Sequence, residues 1–166
     1  MNIAAAPAHR GNFSARPLGT KPRAVVYHET GGTAASAIAW FQDPTSRVSA
    51  HYIVGVGGTI YNCVPETMKA WHAGESVLWN EPDVNSYSLG VELEHAGEGI
   101  YPAAQIEALL MLAADISERY RIPLHAHVGH LHVCLPKGRK VDPQDFDWYS
   151  FLNALGHRLL TFKAVA

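Results

Sequence analysis

Apolar and polar positions along the chain follow two periods, one of strands and one of helices. Ala24-Val25-Val26-Tyr27-His28 is a short apolar, β-branched run that stops at Gly31-Gly32, which predicts a buried strand. Thr33 stands where a helix cap would, and Pro44 ends the helix predicted over Ala34 to Gln42. Val48 to Val54 reads as extended chain, Gly57-Gly58 as a turn, and Thr59 to Val64 as the returning strand of a hairpin. Residues 65–86 carry no clear period and predict a long connection, a kind of segment that is usually functional or mobile. Leu89, Val91 and Leu93 then alternate with Gly90, Glu92 and Glu94, a strand with two carboxylates on one face. Pro102 opens a helix whose apolar stripe is Ile106, Leu109, Leu110, Ala113, Ile116 and Tyr120. A last short strand is expected around Ala126 to Gly129. A loop with Pro and Gly follows it, then a final helix from near Asp145 with Trp148, Leu152, Leu155 and Leu159 facing in.

Strands alternating with helices predict an α/β fold of one domain, a central mixed β-sheet flanked by helices. Residues 1–22, with Pro7, Pro17 and Pro22, follow neither period and predict an N-terminal arm that packs on or drapes over a domain at 23–166. A chain of 166 residues with 48% hydrophobic and 17% charged positions suits one packed core and excludes wholesale disorder. A net charge of -2 and a pI near 6.5 argue against nucleic acid or an anionic membrane surface as partner. No apolar run approaches the roughly 18 to 20 residues that cross a bilayer. Met1 to Pro7 lacks the basic and apolar regions of a secretory signal. The expectation is therefore a chain made in the cytoplasm without a membrane anchor, acting as a monomer. Cys63 and Cys134 are too few for a disulfide framework. What composition leaves to explain is 10 histidines against 13 Lys plus Arg.

Several of these histidines sit at strand ends. His28 closes the first strand, and His125, His127, His130 and His132 occupy the last strand and the loop after it, with Asp142 further on. Two neutral imidazoles and a carboxylate are a ligand set of catalytic zinc, though any one loop histidine taken alone reads more readily as a solvated polar residue. Glu92 points to the face opposite Leu89, Val91 and Leu93. In a sheet covered on both sides an inward carboxylate is costly unless it has a partner or a task. Glu94 reads instead as a solvent-facing edge residue. Lys140 and Asp142, one residue apart in an extended segment, share a face, and a cation there would complement developing negative charge.

The words around these residues are more specific. Val25-Val26-Tyr27-His28, Arg47-Val48-Ser49-Ala50-His51-Tyr52, Ala70-Trp71-His72-Ala73-Gly74, Asn85 with Ser88-Leu89-Gly90-Val91-Glu92-Leu93-Glu94, Gly129-His130, Gly138-Arg139-Lys140-Val141-Asp142-Pro143 and Phe146-Asp147-Trp148 run in one order over about residues 24–152. In them the chain resembles the zinc-dependent N-acetylmuramoyl-L-alanine amidases of the type 2 family, which also includes peptidoglycan recognition proteins and phage lysozyme-like amidases. The resemblance implies a Zn2+ ion held by His28, His130 and Asp142, with Glu92 activating the attacking water and Lys140 stabilising the oxyanion. It implies a peptidoglycan or muropeptide substrate, cut between N-acetylmuramic acid and the L-alanine of the stem peptide. His51, His72, Trp71 and Asn85 belong to matched segments without being ligands, and are expected to support the site or contact substrate.

Two departures from the family pattern bear on the site. The interval from His130 to Asp142 is twelve residues where the family more often has about ten, a count that would select His132; the Gly-His pair at the strand end favours His130. Gln144-Asp145 stands where the family usually has a glycine. Cys134 lies in the same loop and reads as a buried thiol rather than a ligand. The short connections favour a bacteriolytic, phage-type endolysin that would reach the cell wall after release. The alternatives are a cytoplasmic amidase recycling anhydro-muropeptides and a non-catalytic peptidoglycan-binding module.

Overall fold

The parity of the strand at Ser88–Leu93 decides where chemistry sits in this molecule. The structure, a computed structural model, describes residues 1–95, 97 and 99–163; the last three residues of the expected domain lie outside it. In chain order the strands are β1 Ile3–Ala5, β2 Phe13–Ala15, β3 Ala24–Glu29, β4 Tyr52–Val54, β5 Ile60–Asn62, β6 Met68–Ala70, β7 Val77–Leu78, β8 Glu81–Pro82, β9 Ser88–Leu93 and β10 His127–Gly129. The helices are α1 Ala34–Gln42, α2 Ala103–Tyr120, α3 His130–Val133 and α4 Trp148–Lys163. Six strands form the central sheet in the order β1-β5-β4-β9-β3-β10, mixed because β4 and β5 pair antiparallel while the other neighbours run parallel. The fold is thus the mixed α/β domain that the periodicity implies.

Along β9, Leu89, Val91 and Leu93 join Val25 and Tyr27 of β3 in a core beneath α2 and α4, where Leu109, Leu112, Ile116 and Leu155 are almost wholly buried. Burying that many aliphatic side chains, each worth about 2 kcal/mol, is the main force closing this layer. Ser88, Gly90 and Glu92 face the opposite side. A second core there packs Phe41 and Ala37 of α1 against Ile53 and Ala50. Thr33 caps α1 by accepting from the Ser36 N–H at 3.1 Å. Glu94, expected on an edge, instead accepts from the Val56 N–H at 2.8 Å and ties down the β4–β5 turn.

Three segments differ from the sequence reading. Residues 1–22 carry regular structure where no period was legible: β1 extends the central sheet beside β5, and β2 pairs with β6. Three-residue strands are too short to show a period. The connection at 65–86 contains β6, β7 and β8 for the same reason. The last helix starts at Trp148 rather than near Asp145. Asp145 adopts a left-handed φ of 52°, a conformation Asp tolerates better than most residues, and the Asp147 carboxylate accepts from the Ser150 N–H in the first helical turn. Among the described residues, no helix is long and apolar enough to cross a membrane.

Candidate metal centre

The carboxyl ends of three parallel strands bring the candidate residues together, as is usual for open α/β sheets. β3 and β9 pair with His28 opposite Glu92, and β10 pairs Gly129 with Tyr27, so His130 emerges next to His28 as the first residue of α3. The Asp142 segment is drawn in by its own carbonyl, which accepts from the Leu131 N–H at 3.1 Å. Glu29, the last residue of β3, secures the same segment from the other side. Its carboxylate accepts from the Gln144 backbone N–H at 2.8 Å and from the Gln144 amide at 3.0 Å.

The result is a tight convergence of donor atoms. His28 Nδ1 lies 3.0 Å from His130 Nδ1, Asp142 Oδ2 lies 3.1 Å from His130 Nδ1, and 3.4 Å separates Asp142 Oδ2 from His28 Nδ1. Among the described residues these three form the group able to hold a metal ion. His130 donates from Nε2 to the Ala73 carbonyl at 3.1 Å, which leaves its Nδ1 facing Asp142 and His28. Burial holds the His28 imidazolium pKa down at about 4, so at neutral pH that ring is neutral. Two imidazoles and one carboxylate crowded at these distances fit a zinc-type cation, which would hold their donor atoms together.

Glu92 faces the same cleft, which encloses about 610 Å³. Its Oε2 is buried and, among the described residues, has no hydrogen-bond partner. Burial, with the Asp142 carboxylate nearby, pushes the Glu92 carboxyl up to about 8. A carboxyl so placed can exchange a proton near neutral pH. Lys140 stands exposed at the rim of the cleft, which also includes Trp71 and His72 in its wall.

The other expected site residues divide. His132 points away from the donor group: its Nδ1 accepts from the Gly129 N–H at 2.9 Å and its ring packs edge-on against Trp148. Cys134 Sγ faces the carbonyls of Leu131, Pro136 and Lys140, outside the donor group. His51 is fully buried behind the cleft, where Nδ1 accepts from the Gly90 N–H at 2.9 Å and Nε2 donates to the Met68 carbonyl at 3.1 Å. Asn85 likewise does not line the cleft; its Oδ1 accepts from the N–H groups of His72 at 3.1 Å and Ala73 at 2.8 Å, which fixes that turn. Trp71 is held in the wall by an indole hydrogen bond to Ser14 and by the Arg47 guanidinium 4.8 Å over its ring.

Two supporting residues escape the sequence reading. Glu29 is one. The other is Arg16 of the N-terminal arm, which donates to the carbonyls of Asn85, Ser86 and Ser88 and so braces the strand entry below the cleft. Bonds to backbone carbonyls leave no residue pattern, so no motif would have found it.

The family model described as N-acetylmuramoyl-L-alanine amidase matches residues 18–145. The 1,6-anhydro-N-acetylmuramyl-L-alanine amidase AmpD of Haemophilus influenzae is 37% identical over 66% of this chain and 59% of its own length. The chain thus spans between half and three-fifths of the length of the curated relatives it matches. Among solved structures, a selenomethionine derivative of AmpD superposes with a TM-score of 0.79 at 29% identity, covering 93% of both chains. The Escherichia coli amidase AmiD, solved in complex with the substrate anhydro-N-acetylmuramic acid-L-Ala-D-gamma-Glu-L-Lys, superposes with a TM-score of 0.74 at 32% identity, covering 85% of this chain and 60% of that one. A mutant endolysin from Bacillus subtilis, 24% identical with a TM-score of 0.71, shares the fold alone.

Proposed function

The chain belongs to the N-acetylmuramoyl-L-alanine amidase family, and we propose that it hydrolyses the amide between the lactyl group of N-acetylmuramic acid and the L-alanine of the stem peptide. The observation that carries this reading is the convergence of His28, His130 and Asp142 on one point of a cleft that also holds the unpaired carboxyl of Glu92. These three residues would hold Zn2+, and when bound the ion supplies Lewis acidity, lowering the pKa of water to about 7 and polarising a carbonyl.

The chain's own groups do the remaining work. Glu92 takes a proton from the attacking water and delivers it to the leaving L-alanine nitrogen, so that the amide breaks to a carboxylate and an amine. Lys140 presents its ammonium to the oxyanion of the tetrahedral intermediate from the rim of the cleft. Trp71 offers a flat apolar wall on which sugar or peptide can rest.

The substrate we favour is a soluble anhydro-muropeptide, because the AmpD relatives at 33–37% identity are named for that bond and the AmiD complex contains such a ligand. The endolysin reading, which rests on short connections, is the second. Purified protein loaded with zinc should release free peptide from anhydro-N-acetylmuramic acid-L-Ala-D-gamma-Glu-L-Lys faster than it solubilises intact sacculi. The reverse order would select the endolysin, and zinc binding with no cleavage of either would select a binding module.

A further inference from the structure

His72 touches the candidate centre from behind. Its Nδ1 lies 3.0 Å from Nε2 of His28, the ring nitrogen turned away from Asp142. Its Nε2 lies 3.2 Å from Ser88 Oγ, and Ser88 Oγ is only 2.7 Å from the carbonyl of Val84. A carbonyl can only accept, so the single hydroxyl hydrogen of Ser88 goes to the shorter contact with Val84. Ser88 Oγ is then an acceptor for His72, which must carry its hydrogen on Nε2. That leaves His72 Nδ1 as an acceptor, so His28 carries its hydrogen on Nε2. The lone pair of His28 is thereby forced onto Nδ1, where Asp142 and His130 converge.

We infer that His72 is a positioning residue that fixes the tautomer of His28 through a relay running from Val84 O by way of Ser88, and so presents Nδ1 to the metal. The inference rests on the zinc reading proposed above.

The sequence is built around this ring. Gly90 lies between Ser88 and Glu92 on the cleft face of β9, and a Cβ at Gly90 would sit 2.4 Å from His72 Cγ and 2.6 Å from Cδ2. Glycine is required there because the imidazole occupies the space of a side chain. Asn85 holds the backbone of the same turn through the His72 N–H. Orientation of a ligand by the partner of its second nitrogen is a general property of histidine metal sites; here that partner is another histidine, itself set by a hydroxyl and a carbonyl.

Zinc affinity measured by competition with a chromogenic chelator tests the relay. Wild-type protein is expected to bind one zinc ion. His72→Phe, which keeps the ring and removes both nitrogens, is expected to weaken zinc about 10- to 100-fold. His72→Asn, which keeps an acceptor near the Nδ1 position, should restore most of that affinity. Ser88→Ala, which touches neither the ligands nor the ion, should weaken zinc by a smaller factor. In zinc-free protein, two-bond 1H–15N correlations should place the His28 proton on Nε2 in wild type and shift it toward Nδ1 in His72→Phe. Zinc affinity in folded His72→Phe within twofold of wild type, or an unchanged His28 tautomer, would overturn the relay. Absence of zinc from the wild type would overturn the zinc reading instead, while the tautomer measurement would still judge the relay.

Discussion

Tyr27 and His28 are neighbours on β3, and each begins a chain of hydrogen bonds of the same design on opposite faces of the sheet. Under α2, the Tyr27 hydroxyl meets His127 Nδ1 at 2.7 Å, His127 Nε2 meets Ser117 Oγ at 2.9 Å, and Ser117 donates to the Ala113 carbonyl at 2.6 Å. On the cleft face, His28, His72 and Ser88 lead to the Val84 carbonyl. Both chains end with a serine donating to the carbonyl four residues before it, and both fix a buried histidine as one tautomer. They differ at the other end. Tyr27 closes its chain with a donor, and every polar atom along it is satisfied inside the core. His28 leaves its chain open, with a lone pair aimed at Asp142 and His130. The closed chain contributes stability, whereas the open one would present its lone pair to the proposed metal ion.

If that contrast is right, damage on the two faces should read out differently. His130→Ala should abolish stoichiometric zinc and activity together, while His132→Ala should keep both, because His132 is bonded to Gly129 and turned to Trp148; metal analysis of the two variants checks this. Glu92→Gln should keep zinc and fold but lower kcat by about 10²- to 10⁴-fold, the usual worth of a general acid–base group. Steady-state rates on a defined muropeptide measure it, and near-normal turnover would remove Glu92 from that role.

Tyr27→Phe should do the opposite. It strands the buried His127 Nδ1 and should cost about 1–3 kcal/mol in denaturant unfolding while zinc per folded molecule stays unchanged. Loss of zinc in this variant would mean the two faces are not independent. A further effect concerns pH. Burial holds His127 at about 4, below its ordinary value, so the unfolded chain binds its proton more readily. This stability is fully present above about pH 6.5 and is lost as pH falls toward 4, by at most about 1.4 kcal/mol per pH unit. His127→Gln should show a shallower decline than wild type over that window in urea midpoints followed by circular dichroism.

Much of this is legible in the sequence alone. The alternation at residues 88–93 separates Glu92 from Leu89, Val91 and Leu93, and the helical stripe of α2 names its core face, because period two and period 3.6 follow from backbone geometry alone. The motif words single out His28, His130, Asp142, Glu92 and Lys140 as the residues to watch. The short strands in 1–22 and 65–86 were not legible, since two or three residues cannot display a period. The bracing by Arg16 and Glu29 was hidden too, since its partners are largely backbone groups that every residue possesses.

The sequence by itself therefore determined which side chains share a face of each element and which chemistry they bring. The tertiary structure decided which of the ten histidines share a point in space. That His28 meets His130 and not His132 depends on β10 lying beside β3 and on α3 starting at residue 130. That His72 reaches His28 depends on a glycine in a different strand leaving room for its ring. Local periodicity is a property of consecutive residues, whereas these contacts join residues 44 and 102 apart in sequence and exist only when the sheet has closed.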